Sequence, residues 1–239
     1  LSVLIFSYII PEEVTNSVEN LKYGLQQIVY LFSAFTGICA ILVAILYRNK
    51  RQSNVETSKV TLLGVKKMAK KKIVWLNSLI VLCAYVGYKC TDDFSLYAAD
   101  VLNYSDLEAA KVGALAFWIR PIAALIAGLL GDKFIHSKMV STCFIILIIG
   151  SFLLGTELTT IGLSEIAIIT ICITSIGVYG IRGLYFALLH EAKLDLKFIG
   201  SAIGIISVIG YTPDIFMGPL MGYILDENPG ATGHHYLFF

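Results

Sequence analysis

Residues 48–72 read RNKRQSNVETSKVTLLGVKKMAKKK, in which Arg48, Lys50, Arg51, Lys59, Lys66, Lys67, Lys70, Lys71 and Lys72 face a single acid, Glu56. These nine cations are half of the chain's 18 Lys and Arg. Apolar runs border the stretch, Leu21–Tyr47 before it and Ile73–Lys89 after it, each close to the ~20 residues of helix that cross hydrocarbon. Lys and Arg of short loops stay on the cytoplasmic side of a membrane, so residues 48–72 are expected inside, between two spans.

Working outward, further apolar windows occur at Ala109–Leu130, Met139–Gly155, Glu165–Leu189 and Phe198–Leu225. Alternation then places 89–108, 156–164 and 226–235 outside, and 131–138 and 190–197 inside. The charges agree. The inside loops carry Lys133, Lys138, Lys193 and Lys197, whereas Asp92, Asp93, Asp100, Asp106, Glu108, Glu157, Asp226 and Glu227 collect outside. Only 15% of residues are charged and 57% are apolar, against roughly 25% charged in soluble domains. Because hydrocarbon offers the backbone no partners, and because the runs are continuous rather than alternating, these spans are helices and not barrel strands. The fold class is an all-α membrane protein, a helical bundle with about six spans.

The chain opens within an apolar run, Leu1–Ile10, that is too short to span, and Tyr236–Phe239 reads as the first turn of another span. A fragment of a longer protein is expected. Cys39, Cys83, Cys90, Cys143 and Cys172 lie in or beside apolar runs without C-x-x-C spacing, so they read as packing residues. Val55, Leu62, Val65 and Ala69 share one helical face inside the basic stretch, which fits either an interfacial helix drawn to anionic headgroups or a solvated linker.

A charge at membrane depth is costly and marks a pathway or a structural pair. Arg120 precedes Asp132 by twelve residues, about 18 Å of helix, near the middle of a ~30 Å core. Arg182 precedes His190 by eight residues, about 12 Å. Asp214 follows Pro213 in the outer part of the last complete span, where it fits a hinge, helix packing or protonation. Lys89, Asp92 and Asp93 end an earlier span as an outer gate or a solvated rim. The spans Leu21–Tyr47 and Met139–Gly155 contain no interior charge, so they read as lipid-facing while the other four surround a polar cavity. Arg120 either contacts an anion or proton-coupled solute or forms a structural pair; the same alternatives hold for Arg182.

Gly200 and Gly204, then Gly218 and Gly222, form small-xxx-small pairs that allow close helix approach. Gly177, Gly180 and Gly183 follow no strand and read as helix-packing positions rather than a dinucleotide fingerprint. Pro121 and Pro213 interrupt helices three spans apart, as related positions of an inverted repeat would. His190-Glu191 lacks the second histidine of a zinc protease, and neither a Walker loop nor a G-x-S-x-G elbow occurs. No enzyme activity and no cofactor are expected.

The segment GLLGDKFIHSK, Gly128–Lys138, resembles the loop signature of the major facilitator superfamily: Gly128, Asp132 and Lys133 fit, Ile135 replaces a glycine, and His136 and Ser137 replace basic residues. The resemblance implies that residues 1–47 end the first half of such a transporter, as the tail of helix five and helix six. Residues 48–72 then connect the halves in the cytoplasm, and 73–239 form helices seven to eleven and the start of twelve. It also implies that seven, eight, ten and eleven line the cavity. The stretch 210–226 resembles helix eleven of sugar-phosphate and organic-anion permeases, and Arg120-Pro121 is similar in position to the anion-binding arginine of nitrate and nitrite porters.

The resemblance therefore implies a secondary active transporter in the cell membrane, moving a small anionic solute by alternating access with an ion gradient or counter-substrate. Arg120, Arg182, Tyr85 and Tyr88 are the expected substrate contacts, with Tyr97 near the same outer half as a cover or a belt residue. Gly128, Asp132, Lys133 and Asp214 are the expected gating or coupling residues. Its partners would be the solute, a coupling ion or counter-substrate and the lipid bilayer, with no nucleic acid, and the full-length protein would be monomeric. A non-transporting solute sensor on the same fold is the alternative, and a membrane-embedded enzyme a distant third.

Overall fold

A computed structural model describes residues 18–46, 62–156, 164–192 and 194–239. The described residues form helices and short turns, in two units, 1–57 and 58–239. Six helices are long and apolar enough to cross a membrane. The first unit presents one of them, α1 (Val18–Leu46), in which the Thr36 hydroxyl donates to the Phe32 carbonyl at 2.8 Å.

The second unit opens with α2 (Leu62–Ala69) and α3 (Lys72–Cys90). A 3-10 turn, Thr91–Asp93, leads into α4 (Phe94–Asp100). Then come α5 (Asp106–Lys133), α6 (His136–Leu154), α7 (Ser164–Leu184) and a single turn, α8 (Leu188–Glu191). The chain closes with α9 (Leu196–Gly210), α10 (Pro213–Glu227) and α11 (Ala231–Phe238). The five remaining span windows therefore hold, with ends displaced by a few residues. The apolar run 165–189 is divided: α7 stops at Leu184, and a turn leads into α8.

Helix α7 is the hub, packed between α5 and α6 and also touching α3, while α9 and α10 pack on α3. Lipid tails are as apolar as Leu, so helices associate in membranes through close packing of small residues rather than through burial of apolar surface. Six of the eleven buried residues of α7 are small: Ala167, Thr170, Thr174, Ser175, Gly177 and Gly180. A Cβ added to Gly177 would lie 3.0 Å from the Cys143 carbonyl oxygen and 3.1 Å from the Leu147 amide nitrogen, so α6 approaches backbone to backbone. At Gly183 the Ala124 carbonyl oxygen would be 3.3 Å away. The hydroxyls buried here turn back on their own helix: Thr174 donates to Thr170 at 2.7 Å and Ser175 to Ile171 at 2.7 Å. Helix α6 buries Val140, Cys143, Leu147, Gly150 and Leu154 and exposes Ile145, Ile148 and Phe152.

Two expectations change. The glycines at 200, 204, 218 and 222 have nothing within 4 Å of a would-be Cβ, so the close approaches belong to α7 instead. Pro121 lies inside a continuous α5, whereas Pro213 begins α10 after a break at Tyr211 and Thr212. A proline removes one backbone donor, which a long helix tolerates. At Pro213 the neighbouring bonds tighten to i→i−3: Thr212 N–H to Ile209 at 3.2 Å, Asp214 N–H to Tyr211 at 3.1 Å and Ile215 N–H to Thr212 at 2.9 Å. In α2, Gly64 and Met68 are buried against the bundle, while Leu62, on the apolar face read from the sequence, is 89% exposed. Val55 lies outside the described residues.

Candidate functional site

Arg182, near the end of α7, lays its guanidinium over two rings of α3: Cζ is 3.8 Å from the centre of Tyr88 and 5.2 Å from that of Tyr85. Both tyrosines are presented because residues 85 and 88 are three apart and share a helix face. The cluster continues through Tyr85 and Tyr211, with ring centres 4.9 Å apart, and Tyr88 and Tyr179, 6.3 Å apart. The Tyr185 and Tyr211 hydroxyls lie 3.1 Å from each other. Tyr211 belongs to the break between α9 and α10, so the interrupted span reaches the cluster with its non-helical residue.

Arg182 Nη1 is buried and has no hydrogen-bond partner among the described residues. A cation held face-on by aromatic rings keeps its N–H groups in the guanidinium plane, free for a planar acceptor. The acid nearby is otherwise engaged. Asp214, in the first turn of α10, accepts from the Tyr85 hydroxyl at 2.8 Å and lies 3.8 Å from Lys89 Nζ, which also pairs with Asp92 at 2.7 Å. The positive end of a helix favours a carboxylate at this position. Among the described residues Arg182 pairs with no carboxylate, and Arg120 on α5 lies close enough to act on the Tyr179 hydroxyl as Arg182 does. Arg120 is exposed in this unit, beside the cluster rather than within it.

The structure brings Arg182, Tyr85, Tyr88 and Asp214 together. Tyr97 is elsewhere: fully buried on α4, its ring stands edge-on to His234 at 5.7 Å. At the opposite end of the bundle, Asp132 Oδ1 lies 3.5 Å from His136 Nε2, and His136 Nδ1 lies 3.2 Å from Glu191 Oε1. The Ser137 N–H in the first turn of α6 donates to the same carboxylate at 3.1 Å. Burial alone would raise the Glu191 pKa, but the bonds from Ser137 and the neighbouring His136 outweigh it and hold the carboxyl below its usual value. Lys133 lies over the Phe134 ring at 5.8 Å. Gly128 has open space around it, whereas a Cβ on Gly131 would lie 2.7 Å from Leu184.

Two participants escaped the sequence reading. Glu191 was weighed only as half of a zinc motif, and its position just after an apolar run, on the basic side, is the signal that could have marked it as a helix cap. Tyr211 sits directly before the Thr-Pro pair, and that position could have nominated it as the exposed residue of a broken span.

No family model matches the chain. It is 29% identical to the inner membrane protein YihN of Escherichia coli K12 over 175 residues, which cover 71% of this chain and 41% of that protein. It is 24% identical to E. coli inner membrane protein YqcE over 241 aligned positions, 96% of this chain and 54% of that protein. A third relative, the probable nitrate transporter NarT of Staphylococcus haemolyticus, is 36% identical over 128 residues, 53% of this chain and 29% of that protein. The chain thus spans about half the length of the E. coli relatives it matches. With six apolar helices and inner membrane relatives, it is a multi-pass, all-α protein of the cell membrane.

Proposed function

We propose that the chain is part of a secondary active transporter of major facilitator type that carries a small oxyanion across the membrane by alternating access. On this reading residues 48–72 are the cytoplasmic strap between two halves, and 73–239 supply one wall of the solute site. The observation that carries the proposal is the Arg182 guanidinium, held by the Tyr85 and Tyr88 rings with a buried nitrogen and no carboxylate partner among the described residues. An arginine so placed offers a planar, two-pronged donor to a planar oxyanion such as nitrate or a carboxylate. The similarity to a probable nitrate transporter supports the same class of solute.

In this mechanism Arg182 binds the anion and Arg120 adds charge from the neighbouring helix. The break at Tyr211 and Thr212 lets α9 and α10 tilt separately as the wall moves. Gly128, Asp132 and Lys133 lie in the last turns of α5 at the cytoplasmic end, beside the tie that Glu191, at the end of α8, makes to His136 and Ser137 at the start of α6. Asp214, held by Tyr85 and Lys89, couples the first turn of α10 to α3. An ion gradient or a counter-substrate supplies the energy.

The test is counterflow in proteoliposomes containing the full-length protein, with labelled nitrate, carboxylates and sugar phosphates offered in turn. Saturable exchange of one anion class that is lost in Arg182→Ala is the expected result. Binding of an anion without exchange would replace the transporter with a sensor, and neither binding nor exchange of any anion would end the anion reading.

A further inference from the structure

His234, on α11, is fully buried, and both of its ring nitrogens meet carboxylates: Nδ1 lies 2.7 Å from Asp93 Oδ2 and Nε2 lies 3.2 Å from Asp100 Oδ2. A neutral imidazole donates from one nitrogen only, so the second carboxylate can be satisfied only if the group holds one more proton. A buried acceptor facing an acceptor is a costly arrangement, and the Asp93 side chain is itself only 1% exposed. We propose that Asp93, Asp100 and His234 form a proton-binding site at the acidic end of the bundle, and that the bound proton pins α11 to α4 and the turn before it.

The site is built from the fold. Asp93 ends the 3-10 turn after α3, Asp100 ends α4 two turns later, and His234 enters from a segment more than 130 residues away. Around it, Phe238 stacks on Phe94 at 6.0 Å and stands edge-on to Tyr97 at 5.8 Å, so the imidazole is roofed by aromatic rings. Burial disfavours the charged ring, yet the two carboxylates outweigh it and raise the His234 pKa above its ordinary value. The other ionisable groups of the packed elements are few. Cys90 and Asp92 flank Asp93, with Asp92 paired to Lys89 at 2.7 Å; Tyr97 faces the ring edge-on from α4; Tyr104 precedes α5, which Asp106, Glu108 and Lys111 open; Asp226 and Glu227 end α10 and are exposed; His235 and Tyr236 follow on α11. Helix α6 brings no ionisable residue to this end, its last eleven residues being FIILIIGSFLL.

Access is through Asp100, whose side chain is 42% exposed while the other two are closed. A proton arriving there completes the imidazolium and both bonds. Its loss leaves Asp93 or Asp100 facing a lone pair in a buried site, and α11 then separates. Since the histidine pKa is raised in the closed state, the clamp holds fully at pH below about 6.5 and is lost as pH rises through the higher folded value. With positive-inside orientation this end faces the exterior, so external pH would set it, whatever the nature of the solute.

The experiment uses the full-length protein in lipid nanodiscs, with histidine ring carbons labelled for NMR and with amide hydrogen exchange followed across residues 231–238. In the wild type the His234 signal is expected to titrate with a midpoint above the ordinary imidazole value of about 6.5. Protection of 231–238, after correction for intrinsic rates, should fall by up to about tenfold per pH unit between the open-state value near 6.5 and that midpoint, and level off above it. Asp100→Asn should lower the midpoint by about one unit or more, and His234→Gln should abolish the step while exchange in α7 stays slow. If His234→Gln does not fold, the wild type and Asp100→Asn decide alone. A His234 that titrates at or below 6.5, or protection that is flat from pH 6 to 9, would overturn the proposal.

Discussion

The Tyr85 hydroxyl donates to Asp214 Oδ2 at 2.8 Å, joining the middle of α3 to the first turn after the break between α9 and α10. The same ring carries one flank of the Arg182 guanidinium. One residue therefore touches both the Arg182 guanidinium and the carboxylate in the first turn of α10, so a single side chain links the two.

That double duty can be separated. Tyr85→Phe keeps the ring over Arg182 and deletes only the bond to Asp214, a loss of about 1 kcal/mol, or roughly fivefold, in whichever state the bond favours. The expected outcome is a several-fold lower maximal rate of exchange with anion affinity changed less than about twofold, whereas Tyr85→Ala weakens affinity as well. Equal effects of both variants on affinity would show that the hydroxyl bond has no separate part in the motion.

The two arginines should differ. Arg182 is fixed by two rings with an unpaired nitrogen, so Arg182→Lys, which keeps the charge and loses the fork, is expected to weaken anion affinity by about tenfold or more. Arg120 is exposed beside the cluster, and Arg120→Lys is expected to cost less than Arg182→Lys if its contribution is charge alone. Arg120→Ala should still reduce uptake, and uptake unchanged in that variant removes Arg120 from the site.

Gly177 tests the packing of the hub. Gly177→Leu drives a side chain into the backbone of α6 at Cys143 and Leu147, which cannot yield as a side-chain tip would. Overpacking of this kind costs about 1–3 kcal/mol. A lower unfolding temperature in detergent is expected for Gly177→Leu, and little change for Gly200→Ala, where nothing lies within 4 Å.

These contrasts show what could be read in the residues. Span positions were legible because hydrocarbon thickness imposes a length on every run, and α1, α3, α5 and α6 follow it closely. Arg182 with Tyr85 and Tyr88 was legible as a list, since charges and phenols stand out in apolar sequence. Its ranking against Arg120 was not, because rise per residue gives depth along a helix and says nothing of which neighbour a face meets. His234 was invisible for another reason: its partners are 141 and 134 residues away, and a histidine in an acidic outer loop has no local mark. The choice between the glycines of α7 and those at 200, 204, 218 and 222 likewise depends on a neighbour that spacing alone does not name.

Glu191 gives the last prediction, on the basic end. Its carboxylate accepts from the Ser137 N–H and lies against His136, which tethers α8 to the start of α6. Although burial by itself raises the pKa, these partners lower it below the ordinary carboxylate value. A depressed folded pKa contributes stability that is fully present above the unfolded value near 4.5 and lost as pH falls through the lower folded one. Glu191→Gln removes the charge at the helix start and the partner of His136 while conserving shape. Between pH 6 and 8 the variant should unfold at a lower temperature than the wild type, and the gap should close on acidification below about pH 4 as the wild-type carboxyl takes up its proton. A gap that stays constant to pH 3 would mean that the tether acts through shape and not through the ionised carboxylate.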